Sequence, residues 1–139
     1  MTTILVCVTP RIDEPWVPES GAQLAAEMGG QVVLLSVEEV ESQRFEPLPR
    51  SETRASAAEA AERAAQRLRD AGAEPAQVLV RSGRPVETVL EVADEVDADM
   101  ILVGSSPRRP IAQKLLGSVA LELVQRSSRN VMVISEPAS

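Results

Sequence analysis

The sequence predicts an open α/β fold: a parallel β-sheet with helices packed on both faces. Three observations carry that reading. Five short segments are apolar without alternating with polar residues. Segments with helical apolar spacing lie between them. Glycine or proline marks most of the junctions. Unbroken apolar runs of this length suit strands covered on both sides, and strand–helix alternation suits βαβ units with right-handed crossovers.

The first strand is predicted at Ile4-Leu5-Val6-Cys7-Val8, stopped by Thr9-Pro10. The others are Val32 to Val37, Val78-Leu79-Val80, Met100 to Val103 and Val131 to Ile134. A helix is predicted from Pro18 to Met28, with Ala22, Leu24, Ala25 and Met28 on its buried side and Gly29-Gly30 ending it. Ser51 to Ala71 is rich in Ala, Glu, Arg and Gln. Its Ala57, Ala61, Ala64, Leu68 and Ala71 form a narrow apolar stripe, closed by Gly72. Pro85 suits a first helical turn, and Val86, Val89, Leu90, Ala93 and Val96 mark the buried face that follows. Gly117 to Arg126 buries Val119, Ala120, Leu123 and Val124. Glu38 to Arg50 is acidic, holds Pro47 and Pro49 and lacks periodicity, so it reads as a mobile surface loop. No internal repeat and no second domain is visible, and residues 1–139 read as one domain.

Composition excludes several chemistries. The chain has no histidine, so a Ser-His-Asp triad, a Cys-His pair and histidine-ligated zinc are out. One cysteine, Cys7, cannot form an internal disulfide or a CxxC site, and as a strand residue it reads as a small core hydrophobe. Trp16 and Phe45 are the only aromatics, too few for a base-stacking platform. Trp16 reads as packing, and Phe45 as a lone residue in the acidic loop. With 21 acids against 14 bases the net charge is −7, which opposes nucleic-acid or anionic-membrane binding. The aliphatic runs are far shorter than the roughly 20 residues of a membrane helix. No basic leader precedes Ile4, so a cytoplasmic protein without membrane insertion is expected.

Open α/β sheets bind ligands beyond the carboxyl ends of their strands. That rule selects Thr9-Pro10-Arg11, Val37-Glu38, Ser82-Gly83-Arg84 and the segment after Val103. The last is the most informative. No acid occurs from Met100 to Leu121, whereas Arg108, Arg109 and Lys114 do. Gly104 lets a ligand approach the backbone, and Gly117-Ser118 would open a helix whose N–H groups favour phosphate. Ser118 would also cap that helix. A plainer reading stands beside this one: Gly104 as a turn, Ser118 as a cap only, and the two arginines as solvated charges. Asp94, Glu95, Asp97 and Asp99 cluster near a helix end and read as a solvated face rather than a metal site. No positioned general base and no P-loop lysine motif is visible, so an enzyme is not expected, slow ATP hydrolysis being the one form considered.

Gly104, Pro107, Gly117 and Ser118 carry the spacing of glycine, two residues, glycine, nine residues, glycine, then serine or threonine. With the flanks Ala98 to Val103 and Leu115 to Ala120, the chain resembles the universal stress protein family. The opening strand and Leu35-Ser36-Val37 extend the resemblance over the whole chain. It implies an adenine nucleotide alpha hydrolase-like domain: a single doubly wound five-stranded parallel sheet of order 3-2-1-4-5. It implies a nucleotide-binding regulatory module for ATP, AMP or a cyclic adenine nucleotide such as cyclic di-AMP, Mg being an optional companion. Val8, Thr9, Pro10 and Val37 would hold base and ribose, with Gly83 alongside. Gly104, Ser105, Arg108 and Arg109 of the glycine loop and the Gly117-Ser118 helix start would hold the phosphates, with Val103 and Val119 as further nucleotide-binding residues. It further implies a homodimer through Val131 to Ile134. A nucleotide-independent subunit regulating a membrane transporter is the alternative. Three positions depart from the pattern. Pro107 replaces the second glycine and removes one backbone donor. Thr9 replaces an aspartate and weakens contact with base or ribose. Asn130 replaces a proline. AMP or a cyclic adenine nucleotide stays compatible with all three.

Overall fold

The computed structural model describes residues 1–39, 50–106 and 116–137. In chain order they form β1 (Thr3–Val8), α1 (Trp16–Met28), β2 (Gln31–Glu39), α2 (Arg50–Asp70), β3 (Gln77–Gly83), α3 (Pro85–Glu95), β4 (Met100–Gly104), α4 (Ser118–Arg126) and β5 (Asn130–Ile134). The strands make one sheet of order β3-β2-β1-β4-β5, with every pairing parallel. Fold class, strand order and helix placement therefore agree with the expectation.

Register explains why the strands read as unbroken apolar runs. Leu5 of β1 lies between Val33 and Ile101, and Val6 between Leu34 and Leu102. Alternate residues point to opposite faces, so both faces need apolar residues. Leu5, Val33, Leu35, Ile101 and Val103 pack under α3 and α4 through Val89, Val92, Ala120 and Leu123. Ile4, Val6, Val32, Leu34 and Leu102 pack under α1 and α2 through Val17, Ala22, Ala64 and Leu68. The alanine stripe of α2 lets a long helix lie close to the sheet. Ala57, Ala61, Ala64 and Leu68 are buried as expected; Ala71 is exposed and lies past the helix end.

Several boundaries differ from expectation, each for a physical reason. α1 begins at Trp16 rather than Pro18. Pro18 falls in its first turn, where a backbone N–H has no helical partner to lose. Glu38 and Glu39 belong to β2, not to a loop, because they pair with Ser82 and Gly83 of β3. The Glu38 side chain is buried; the Ser82 hydroxyl donates to it and Arg54 lies 3.9 Å away. A buried carboxylate survives in a strand when such partners accompany it. Arg50 opens α2; the rest of the expected loop, residues 40–49 with Phe45, lies outside the described residues. Val124 is half exposed rather than buried, as is Leu121, leaving Ala120 and Leu123 as the buried residues of α4.

The carboxylates at the end of α3 are exposed as expected, and three of them are ion-paired as well. Arg129 reaches Asp94 at 3.0 Å and Asp97 at 3.4 Å, and Arg81 reaches Glu95 at 3.0 Å. The Asp99 carboxylate accepts from the Thr3 N–H at 2.8 Å, tying the start of β1 to the start of β4. Among the described residues no group of His, Cys, Asp or Glu could hold a metal ion. Among them, too, no helix is long and apolar enough to cross a membrane.

Candidate functional site

Strand order reverses between β1 and β4, and adjacent crossovers there leave on opposite faces of the sheet. The carboxyl ends of the strands consequently part and leave a crevice. An open cleft occupies it. Its walls are Cys7, Val8, Thr9 and Ile12 from β1 and the turn after it, Val37 and Glu39 from β2, and Pro85 and Val89 from α3. Val103, Gly104, Ser106 and Val119 complete it with Glu14.

Six of the residues expected to bind ligand meet here: Val8, Thr9, Val37, Val103, Gly104 and Val119. Ser105 and Gly117 stand behind the rim as a brace. The Gly117 N–H donates to the Ser105 carbonyl at 2.9 Å, and the Ser105 N–H donates to the Ile134 carbonyl at 3.0 Å. Gly117 is the N-cap of α4, so Ser118 is the first helical residue and not the cap; its side chain is exposed. An extended Gly117 can play that part because a cap needs non-helical backbone more than it needs a hydroxyl. Pro10 and Gly83 lie outside the cleft wall. Gly83 ends β3 at φ 152°, a conformation glycine adopts most readily, with Thr88 closely packed on it. Arg108, Arg109, Lys114 and Pro107 lie outside the described residues.

The acid-free window from Met100 to Leu121 is not acid-free in space. Glu14, in the segment between β1 and α1, lays its carboxylate against Gly104; a Cβ at position 104 would collide with both oxygens. The Ser106 N–H donates to Glu14 Oε2 at 3.4 Å from 92 positions away in sequence. Burial pushes the Glu14 carboxyl above the usual carboxylate range, with Glu136 adding to the rise; the Ser106 contacts and the neighbouring Trp16 indole oppose it. On the β2 side Glu39 pairs with Arg11 at 3.1 Å. The segment that carries Glu14 is itself anchored, since both oxygens of Asp13 accept from the Arg67 guanidinium of α2. That hydrogen bond holds the Asp13 carboxyl below its ordinary range.

Sequence reasoning missed Cys7, Ile12, Glu14, Glu39, Pro85, Val89 and Ser106 as wall residues. Pro85 and Val89 were within reach, because a helix that follows a strand tip must present its first turns to the crevice. Glu14 sits in an irregular segment with no period, and no local signal ties it to Gly104.

Cys7 packs against the α3-side core, and burial pushes its thiol up to about 12. Little of the reactive thiolate is then present at pH 8. Native protein is expected to label slowly with a disulfide reagent and at once in urea. Equal rates in the two states would refute the packing of this strand end.

The parallel sheet of order 3-2-1-4-5 and the crevice at its switch point define an adenine nucleotide alpha hydrolase-like domain. The universal stress protein family model matches residues 1–135, and the chain belongs to that family. A universal stress protein of Mycobacterium tuberculosis is 34% identical over 71 residues, 51% of this chain and 49% of that protein. One from Methanocaldococcus jannaschii is 29% identical over 72 residues, 52% of this chain and 44% of that protein. These alignments span about half the length of either relative. Among solved structures, the universal stress protein of Archaeoglobus fulgidus superimposes with a TM-score of 0.77 at 26% identity, covering 96% of this chain and 98% of that one. Its complex with dAMP gives a TM-score of 0.72 at 26% identity over 96% and 98% of the two chains. A universal stress protein in complex with cAMP gives 0.72 at 26% identity over 96% of each chain.

Proposed function

We propose that this chain is an adenine-nucleotide-binding regulatory module whose ligand lies in the cleft between β1 and β4. The observation that carries the reading is the make-up of the cleft wall, apolar side chains beside the glycine-bearing tip of β4. Val37, Val89, Val103 and Val119 form an apolar wall suited to a purine. Gly104 and Ser106 of the β4 tip line the same cleft, and α4 starts beside it, where the free N–H groups of a first helical turn would suit a phosphate. The cAMP and dAMP complexes of two structural relatives support an adenine monophosphate as the ligand class. Binding would act by population shift, the occupied cleft favouring one arrangement of its rim.

The test is direct. With one Trp and no Tyr the protein absorbs weakly at 280 nm, so retained adenine stands out at 260 nm. Mass spectrometry of the small molecules released on denaturation, with calorimetry using AMP, dAMP and cAMP, is expected to find an adenine nucleotide. Protein that releases none and shows no heat with any of the three would refute the reading.

Self-association through β5 belongs to the same proposal. β5 is an edge strand, and Met132, Leu121 and Val124 expose apolar surface on or beside it. Edge strands of that kind pair readily with another chain.

A further inference from the structure

The tip of β4, where the phosphate of the proposed nucleotide would sit, already carries a carboxyl group of the protein's own. Glu14 presses its carboxylate onto Gly104 and accepts from the Ser106 N–H. Gly104 does not have a left-handed φ, so its missing Cβ matters here for the space it leaves. That space is filled by the end of a flexible side chain, which a ligand or a new side chain can push aside. No ion pair is formed by Glu14 among the described residues, and Glu136 is the charged group that acts on it. A half-buried carboxylate in that position is unfavourable unless something accepts the burden of its charge, and the Ser106 contacts and the Trp16 indole offset burial only in part.

Resting on the proposed nucleotide function, we propose that Glu14 is the specificity-determining residue that limits the charge of the ligand, admitting adenosine and adenine monophosphates over polyphosphates. The carboxylate competes with phosphate oxygens for the same backbone donor and repels each further negative charge brought to that end. Like charges forced together across a binding site weaken association strongly, while a neutral amide of equal size does not. A nucleoside leaves Glu14 in place, a monophosphate shares or displaces it, and a triphosphate meets it at its most charged part.

Calorimetry on the full chain tests this with adenosine, AMP and ATP, each with and without Mg, at one ionic strength. Glu14→Gln is compared with wild type and with Glu19→Gln, which removes one exposed charge from the first turn of α1. Wild type is expected to prefer AMP to ATP. Glu14→Gln is expected to bind ATP at least about tenfold tighter, to change adenosine by less than about twofold, and to melt as wild type does. Glu19→Gln is expected to keep the wild-type preference. Wild type binding ATP as tightly as AMP would overturn the inference and leave the nucleotide function standing. So would a Glu14→Gln variant with no selective gain, or one that loses Mg-dependent ATP binding, since Glu14 would then be a cation ligand. If neither protein binds any of the three compounds, the nucleotide function itself fails and takes this inference with it.

Discussion

Leu5→Ala is expected to lower the unfolding free energy by about 2–5 kcal/mol, the range for emptying a large aliphatic site in a packed core. Leu5 has no exposed surface, sits on the central strand β1 and lies between Val33 and Ile101. Among the described residues the core is made mainly of valine, alanine, leucine and isoleucine, and no aromatic ring is fully buried. Small side chains on fixed strands cannot move far to refill a hole, so the cavity persists. Against a typical total of about 5–15 kcal/mol the loss is large. Urea unfolding with an unchanged slope is the measurement. Leu5→Met keeps the volume and is expected to stay within about 1.5 kcal/mol of wild type. A Leu5→Ala loss below about 1 kcal/mol would mean that the β1 core is not packed as described. The same variant links stability to function. Cys7, two residues further along the same face, lines the cleft, and the floor loosens when its support is emptied.

Val119→Trp is expected to weaken adenine-nucleotide binding by about a hundredfold or more while the protein still melts cooperatively, a change of ~2.7 kcal/mol. Val119 lies in the first turn of α4, on the cleft wall and partly buried. An indole there meets the volume that the purine needs. Val124→Trp is the control. It lies on the same helix, is half exposed and is absent from the cleft wall. Titration calorimetry of the two variants separates a blocked cleft from a damaged helix. Wild-type affinity in Val119→Trp with a native melting curve would place the ligand elsewhere.

Much of the architecture is legible in the residue order. Strands buried on both faces need an apolar residue at every position, and Ile4 to Val8 and Met100 to Val103 show it without ambiguity. The ends of elements are less legible because backbone pairing, not hydropathy, decides them. Glu38 stays in β2 because Ser82 of β3 is opposite it and donates to its carboxylate. Ser118 has the chemistry of a cap, but extended Gly117 takes that place. Val119 and Val124 both read as buried positions of one helix, yet they stand five residues apart, about 140° around it, so Val119 lines the cleft and Val124 is half exposed.

By itself, then, the order of residues determined the α/β class, the places of the five strands and the glycine-bearing rim after β4. Each rests on local periodicity or on a backbone property of glycine and proline. The tertiary structure alone decided the electrostatics of the site. Parallel topology carries the segment after β1 across to the tip of β4, and a carboxylate 92 positions from Ser106 comes to rest on its N–H. Charge acts through space, so a window without acids along the chain did not foretell a neutral or cationic cleft.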